Sequence, residues 1–108
     1  MPAKKYIQSG EKVPLKLTAT ERNMILEDLM LLDQNYEEIV RNTPSEKPVM
    51  MTLDDLEDFG GYIAAEANHC EDKKKQTKLD NIFQKIQKLL YRYSDEEPPQ
   101  IITFSRNK

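Results

Sequence analysis

The chain is poor in the residues that most often carry chemistry. Its 108 residues include one cysteine, one histidine and no tryptophan. A lone cysteine excludes a disulfide framework within the chain and fits a reduced, cytoplasmic compartment. A lone histidine leaves little for acid–base catalysis or for a histidine-rich metal site. Long apolar runs are also missing. Leu29-Met30-Leu31-Leu32 is the longest, far short of the roughly 20 residues that span a bilayer. No apolar stretch follows the early lysines, so residues 1–10 do not read as a signal peptide. Charge of one sign is scarce as well. Sixteen Lys and Arg face 19 Asp and Glu, a net −3, too little for a dedicated nucleic-acid or membrane coat.

What remains is helical periodicity punctuated by six prolines and three glycines. Thr18-Ala19-Thr20-Glu21 matches a capping box, in which a threonine oxygen takes a free N–H and a glutamate reaches back. Ile25, Leu29, Leu32, Tyr36 and Ile39 then recur at helical spacing, which predicts a helix over about 19–42, closed by Asn42 and Pro44. Thr52-Leu53-Asp54-Asp55 opens a second helix, about 52–70, along Leu53, Leu56, Phe59, Ile63, Ala67 and Cys70. Gly60, Ala64 and Ala67 form a small-residue strip that would admit a close neighbour. Leu79, Ile82, Phe83, Ile86, Leu89, Leu90 and Tyr93 mark a third helix, about 73–93.

These elements predict an all-α three-helix bundle with short extended arms at both ends. Val13–Leu17 and Ile101–Phe104 are β-prone and could pair as a small β element, within one chain or between two. The expected division is a flexible tail over 1–12, a helical domain over 13–94 and an extended arm over 95–108. Charge separates along the chain: residues 18–42 carry −4, residues 52–72 carry −7 and residues 73–93 carry +6. Opposite potentials favour the third helix beside the other two.

Candidate sites are few. Glu66 and His69 have the i, i+3 spacing of carboxylate–histidine metal bundles, but one such pair lacks the further glutamates a centre needs. The competing reading is a polar helix end. Adjacent helical positions point about 100° apart, which separates His69 from Cys70 as base and nucleophile. Lys73, Lys74, Lys75, Lys78, Lys85 and Lys88 form the candidate nucleic-acid face, against the plainer reading of a solvated lysine surface. Met24, Met30 and Leu31 widen the first helix beyond one apolar stripe: either the 101–104 segment or the N-terminal arm covers them, or they are the interface of a homodimer, the preferred reading. No catalytic residue and no cofactor is expected. The expected function is a protein–protein interaction module, with a nucleic-acid accessory role as the alternative.

Two stretches carry a resemblance. Val13-Pro14-Leu15-Lys16-Leu17-Thr18 leads into the first helix, and Met51-Thr52-Leu53-Asp54-Asp55-Leu56 precedes Gly61-Tyr62-Ile63-Ala64-Ala65-Glu66-Ala67-Asn68-His69. Together they resemble the small helical region that accompanies bacterial plasmid ORF-three-like, transposon-passenger-type domains. The resemblance implies a free-standing accessory helical module of bacterial origin and carries over no catalytic residue.

Overall fold

The computed structural model describes residues 5–28 and 33–95. The elements run β1 (Lys5–Tyr6), β2 (Lys12–Leu15), α1 (Ala19–Asp28), α2 (Gln34–Asn42), β3 (Val49–Thr52), α3 (Leu53–His69), α4 (Lys73–Arg92) and β4 (Tyr93–Ser94). The expected three-helix bundle is therefore corrected, among the described residues, to four helices with two small two-stranded sheets.

Two sequence features account for the difference. The first is Asp33. Its side chain accepts a hydrogen bond from the Asn35 amide at 2.8 Å and opens α2 as an N-cap, so the long stripe expected over 19–42 is two helices. The second is Val49–Thr52, which lies between the helix expected over 19–42 and the one expected to open at Thr52. It alternates buried and exposed residues and pairs antiparallel with β2, Val13 opposite Met51 and Leu15 opposite Val49. Period-two alternation puts Val13, Leu15, Val49 and Met51 on the core face, each at most 2% exposed. Pro14 sits opposite Met50 on an edge strand, where its missing N–H is tolerated. The expected strand partner, Ile101–Phe104, lies outside the described residues.

The helix starts behave as their sequences require. The Thr18 hydroxyl accepts from the Glu21 amide at 3.1 Å while Glu21 accepts from the Thr18 amide at 2.9 Å. Thr52 and Asp55 repeat the arrangement at α3. Asp72 caps α4, accepting from the amides of Lys74 and Lys75. α2 stops where Thr43 turns its hydroxyl back to the Ile39 carbonyl, just before Pro44.

The core joins the β2–β3 face to the apolar stripes of all four helices. Leu56, Phe59 and Ile63 of α3 and Leu79, Ile82 and Ile86 of α4 are completely buried. α3 and α4 make the most extensive helix pair. Gly60 permits their close approach: a Cβ there would stand 3.3 Å from Cγ2 of Ile86. The pairing joins the most acidic helix to the most basic one, as the charge separation anticipates.

Two charged residues are buried at the start of α1. Arg22, 6% exposed, donates from its guanidinium to the carbonyls of Leu17, Thr43, Pro44 and Lys47, closing the α2–β3 connection onto α1. Glu21, 7% exposed, joins its cap to Lys85 of α4. Just past α4, β1 lies parallel to β4 and the Ile7 amide donates to the Ser94 carbonyl at 2.8 Å. Residues 5–7, within the stretch expected as a tail, are thereby tied to the end of α4. Among the described residues, no helix is long and apolar enough to cross a membrane.

Candidate binding groove along α4

The structure spreads the six candidate lysines along α4. Lys73, Lys74 and Lys78 are exposed in the first turns of α4, with Lys75 half-buried beside them. Lys74, Lys75 and Lys78 border a shallow polar hollow of about 390 Å³ with Thr20, Asn23, Glu27 and Asp72. Lys85 is committed elsewhere. Its ammonium lies 2.6 Å from the Glu21 carboxylate and 3.1 Å from the Lys16 carbonyl. Lys88 is exposed one turn further on. At 100° per residue, Lys74, Lys78, Lys85, Lys88 and Arg92 share an angular sector of about 80° running roughly 27 Å along the helix. The sector is continuous, but Lys85 is its neutralised midpoint.

Beyond that midpoint lies a larger groove, about 780 Å³, between β2 and the last turns of α4. Pro14, Leu89, Tyr91 and Tyr93 supply its apolar and aromatic surface, over the buried Leu15. Lys85, paired with Glu21, lines it too; Lys16, Lys88 and Arg92 bring three further positive charges, and no carboxylate is itself part of the lining among the described residues. Among those same residues, the ion pairs are Glu37–Arg41 and Glu21–Lys85, so none of the three cations is drawn into one. The wall from β2 is a blunted strand edge. Pro14 has no N–H to offer, and the Lys16 carbonyl already accepts from Lys85. Recognition here falls to side chains.

Tyr91, 53% exposed, is the feature that marks the groove in the sequence. It lies off the apolar stripe of α4, among Gln84, Gln87 and Lys88. A large aromatic on the polar face of an amphipathic helix is unusual, and tyrosine and arginine are both enriched at interfaces. Periodicity assigns Leu89 and Tyr93 to the core stripe alone. Nothing in it connects them with Pro14 and Lys16, at the far end of the sequence.

The other candidates are placed as follows. Met24 is 5% exposed and belongs to the core. Its companions Met30 and Leu31 lie outside the described residues. Glu66 is half-buried and His69 exposed at the end of α3. No group of three or more His, Cys, Asp or Glu side chains suited to a metal gathers among the described residues. Cys70 caps the same helix, half-buried, with Sγ 3.3 Å from the Asp72 carbonyl.

One perturbed ionisable group stands apart from the groove. The Tyr36 hydroxyl donates to Asp58 at 2.7 Å, and its ring packs on Phe59 and Tyr62. Burial, and then the hydrogen bond and charge of Asp58, push the phenol well above its ordinary range. A phenol so held is a structural donor rather than a base.

No family model, no curated protein and no solved structure matches the chain.

Proposed function

We propose that the protein is a protein-interaction module whose contact surface is the α4–β2 groove. The observation that carries this reading is the composition of the groove wall: apolar and aromatic side chains interleaved with Lys16, Lys88 and Arg92, and no acid among the described residues. Such a wall suits an extended segment of a partner protein that alternates apolar and acidic residues. The apolar side chains would supply affinity, and the carboxylates would set position and speed encounter. The acidic surface of α2 and α3 does not cancel this local field, because charges more than about 8–10 Å apart are largely screened at physiological salt.

The test is a titration of the full chain with a short peptide of alternating Glu and Ile or Phe, followed by amide NMR shifts. The expected result is saturable change at Lys16, Leu89 and Tyr93, with the α2 amides unmoved. Changes spread evenly over the surface, or none at all, overturn the reading.

A second reading is favoured by one observation. Lys73, Lys74 and Lys75 crowd the first turn of α4, which has no acidic residue, at the end of the helix where the dipole favours carboxylates. A local rule broken in this way suits a surface kept for anions, and Tyr91 and Tyr93 could stack bases. Binding of single-stranded oligonucleotides across a salt series tests it. A nucleic-acid site loses affinity steeply with salt, and Lys73→Glu/Lys74→Glu abolishes its binding. Absence of binding at about 50 mM salt rules the reading out.

A further inference from the structure

Glu21 lies outside the groove, yet it holds one of the cations that line it. Lys85 is part of the groove wall, and its ammonium stands 2.6 Å from the Glu21 carboxylate and 3.1 Å from the Lys16 carbonyl. We propose that Glu21 sets the charge preference of the groove through Lys85. By neutralising that cation, it makes Lys85 a hydrogen-bond donor to an uncharged carbonyl of the partner and leaves the partner's acids to Lys16, Lys88 and Arg92. The inference rests on the groove being a protein-binding site and names the position at which its partner is neutral.

Donor capacity is the first argument. An ammonium has three N–H bonds. The Glu21 and Lys16 oxygens accept two of them. The third remains for a ligand, because the Lys85 side chain is 36% exposed and lines the groove.

Charge is the second. The Glu21 side chain is 9% exposed and is held from behind by the Thr18 amide, which donates to the same oxygen at 2.9 Å. It cannot swing aside for a competing acid without giving up the α1 cap. A ligand carboxylate on the same ammonium would stand about 4–5 Å from the Glu21 oxygen. Like charges at that separation repel, and water screens a buried carboxylate poorly. A backbone carbonyl or a side-chain amide meets no such repulsion.

The neighbouring wall agrees with this preference. Gln84 and Gln87 flank Lys85 along α4 and also line the groove. Their amides both donate and accept, and carry no charge. Lys88 and Arg92, further along the same helix, are the side chains left to meet acids, with Lys16 facing them from β2.

The experiment uses the full chain, the alternating peptide of Glu and Ile or Phe, and a set of peptides in which each Glu in turn is replaced by Gln. Affinities are measured for the native chain and for Glu21→Gln, in which glutamine keeps the acceptor of the cap. The expected result is that the native chain tolerates one replacement without loss, at the position facing Lys85. In Glu21→Gln the same replacement should weaken binding about fivefold, as one partly exposed ion pair does, with the other positions unchanged. The charge-matched variant Glu21→Gln/Lys85→Met should bind the peptides about threefold more weakly than the native chain at unaltered salt dependence, since it loses a donor and no net charge. If every replacement weakens binding to the native chain, the inference is overturned without recourse to any variant. Identical profiles in the native chain and Glu21→Gln, or losses that grow at all positions alike, also overturn it and leave the groove reading intact. Undiminished affinity in the charge-matched variant removes Lys85 as a donor and has the same consequence. Absence of peptide binding in every protein overturns the groove reading itself.

Discussion

Lys85 reaches across from α4 to place its ammonium 2.6 Å from Oε1 of Glu21, the oxygen that also accepts the Thr18 amide. One carboxylate thus completes the α1 cap and fastens α4 to the β2–α1 junction. The pair is uneven in exposure, with the Glu21 side chain 9% and the Lys85 side chain 36% exposed. Lys85→Met should cost no more than about 1 kcal/mol, the usual range for a pair with one solvated partner. Glu21→Ala should cost more, about 1–3 kcal/mol, because it also strips the cap and leaves an amide unpaired. Glu21→Gln, which keeps the acceptor, should fall between them. Urea denaturation of the three variants measures the order.

Arg22 makes a different demand. Its planar fork serves four backbone carbonyls and no acid, so its role is geometric. Arg22→Met should lower stability by about 2–4 kcal/mol by leaving several acceptors in a partly buried site without donors. Arg22→Lys should recover only part of that, since an ammonium cannot span carbonyls from Leu17 to Lys47. Equal stability of Arg22→Lys and the native protein in urea would contradict this assignment.

Two adjacent glycines separate helix propensity from packing. A Cβ at Gly61 meets nothing within 4 Å, so Gly61→Ala should stabilise the protein by about 0.5–1 kcal/mol. At Gly60 the same propensity gain is opposed by Ile86, only 3.3 Å away. Gly60→Ala should therefore gain less than Gly61→Ala, and Gly60→Val should lose about 1–3 kcal/mol by forcing α3 and α4 apart. Thermal or urea unfolding of the set gives the comparison directly.

The Tyr36–Asp58 hydrogen bond predicts a pH signature. The phenol is raised in the folded state above its ordinary value near 10. Its contribution is complete below that value. It fades as pH climbs beyond it, because the unfolded chain releases the proton first. Stability should fall more steeply above about pH 10 in the native protein than in Tyr36→Phe. At neutral pH the variant should lose about 0.5–1.5 kcal/mol, the ordinary value of one hydrogen bond. Parallel alkaline profiles for the two proteins would argue against the bond.

Local signals in the sequence are sound where chemistry is local. The capping residues Thr18, Thr52 and Asp55 stand where their spacing places them, and α3 and α4 begin and end within a few residues of the expected bounds. The Gly60 strip does admit a neighbouring helix. The break at Asp33 is hidden because apolar positions recur at helical spacing across it in the sequence, while the Asp33 side chain caps α2. The β2–β3 pair is hidden for another reason. Strand pairing joins residues far apart in sequence, and Val49–Met51 is too short to declare its partner by periodicity. The groove shares that obscurity, since Pro14 and Lys16 meet Leu89 and Tyr93 only after folding.

The cations of the groove wall are what the proposed recognition depends on most. The decisive measurement is the affinity of the acidic–apolar peptide for the native chain and for Lys88→Glu/Arg92→Glu, at about 150 mM salt. Both side chains are exposed, so the variant should keep the native circular dichroism and urea midpoint. The predicted result is at least a tenfold loss of peptide affinity on that intact fold. Undiminished affinity in the charge-reversed protein would contradict it.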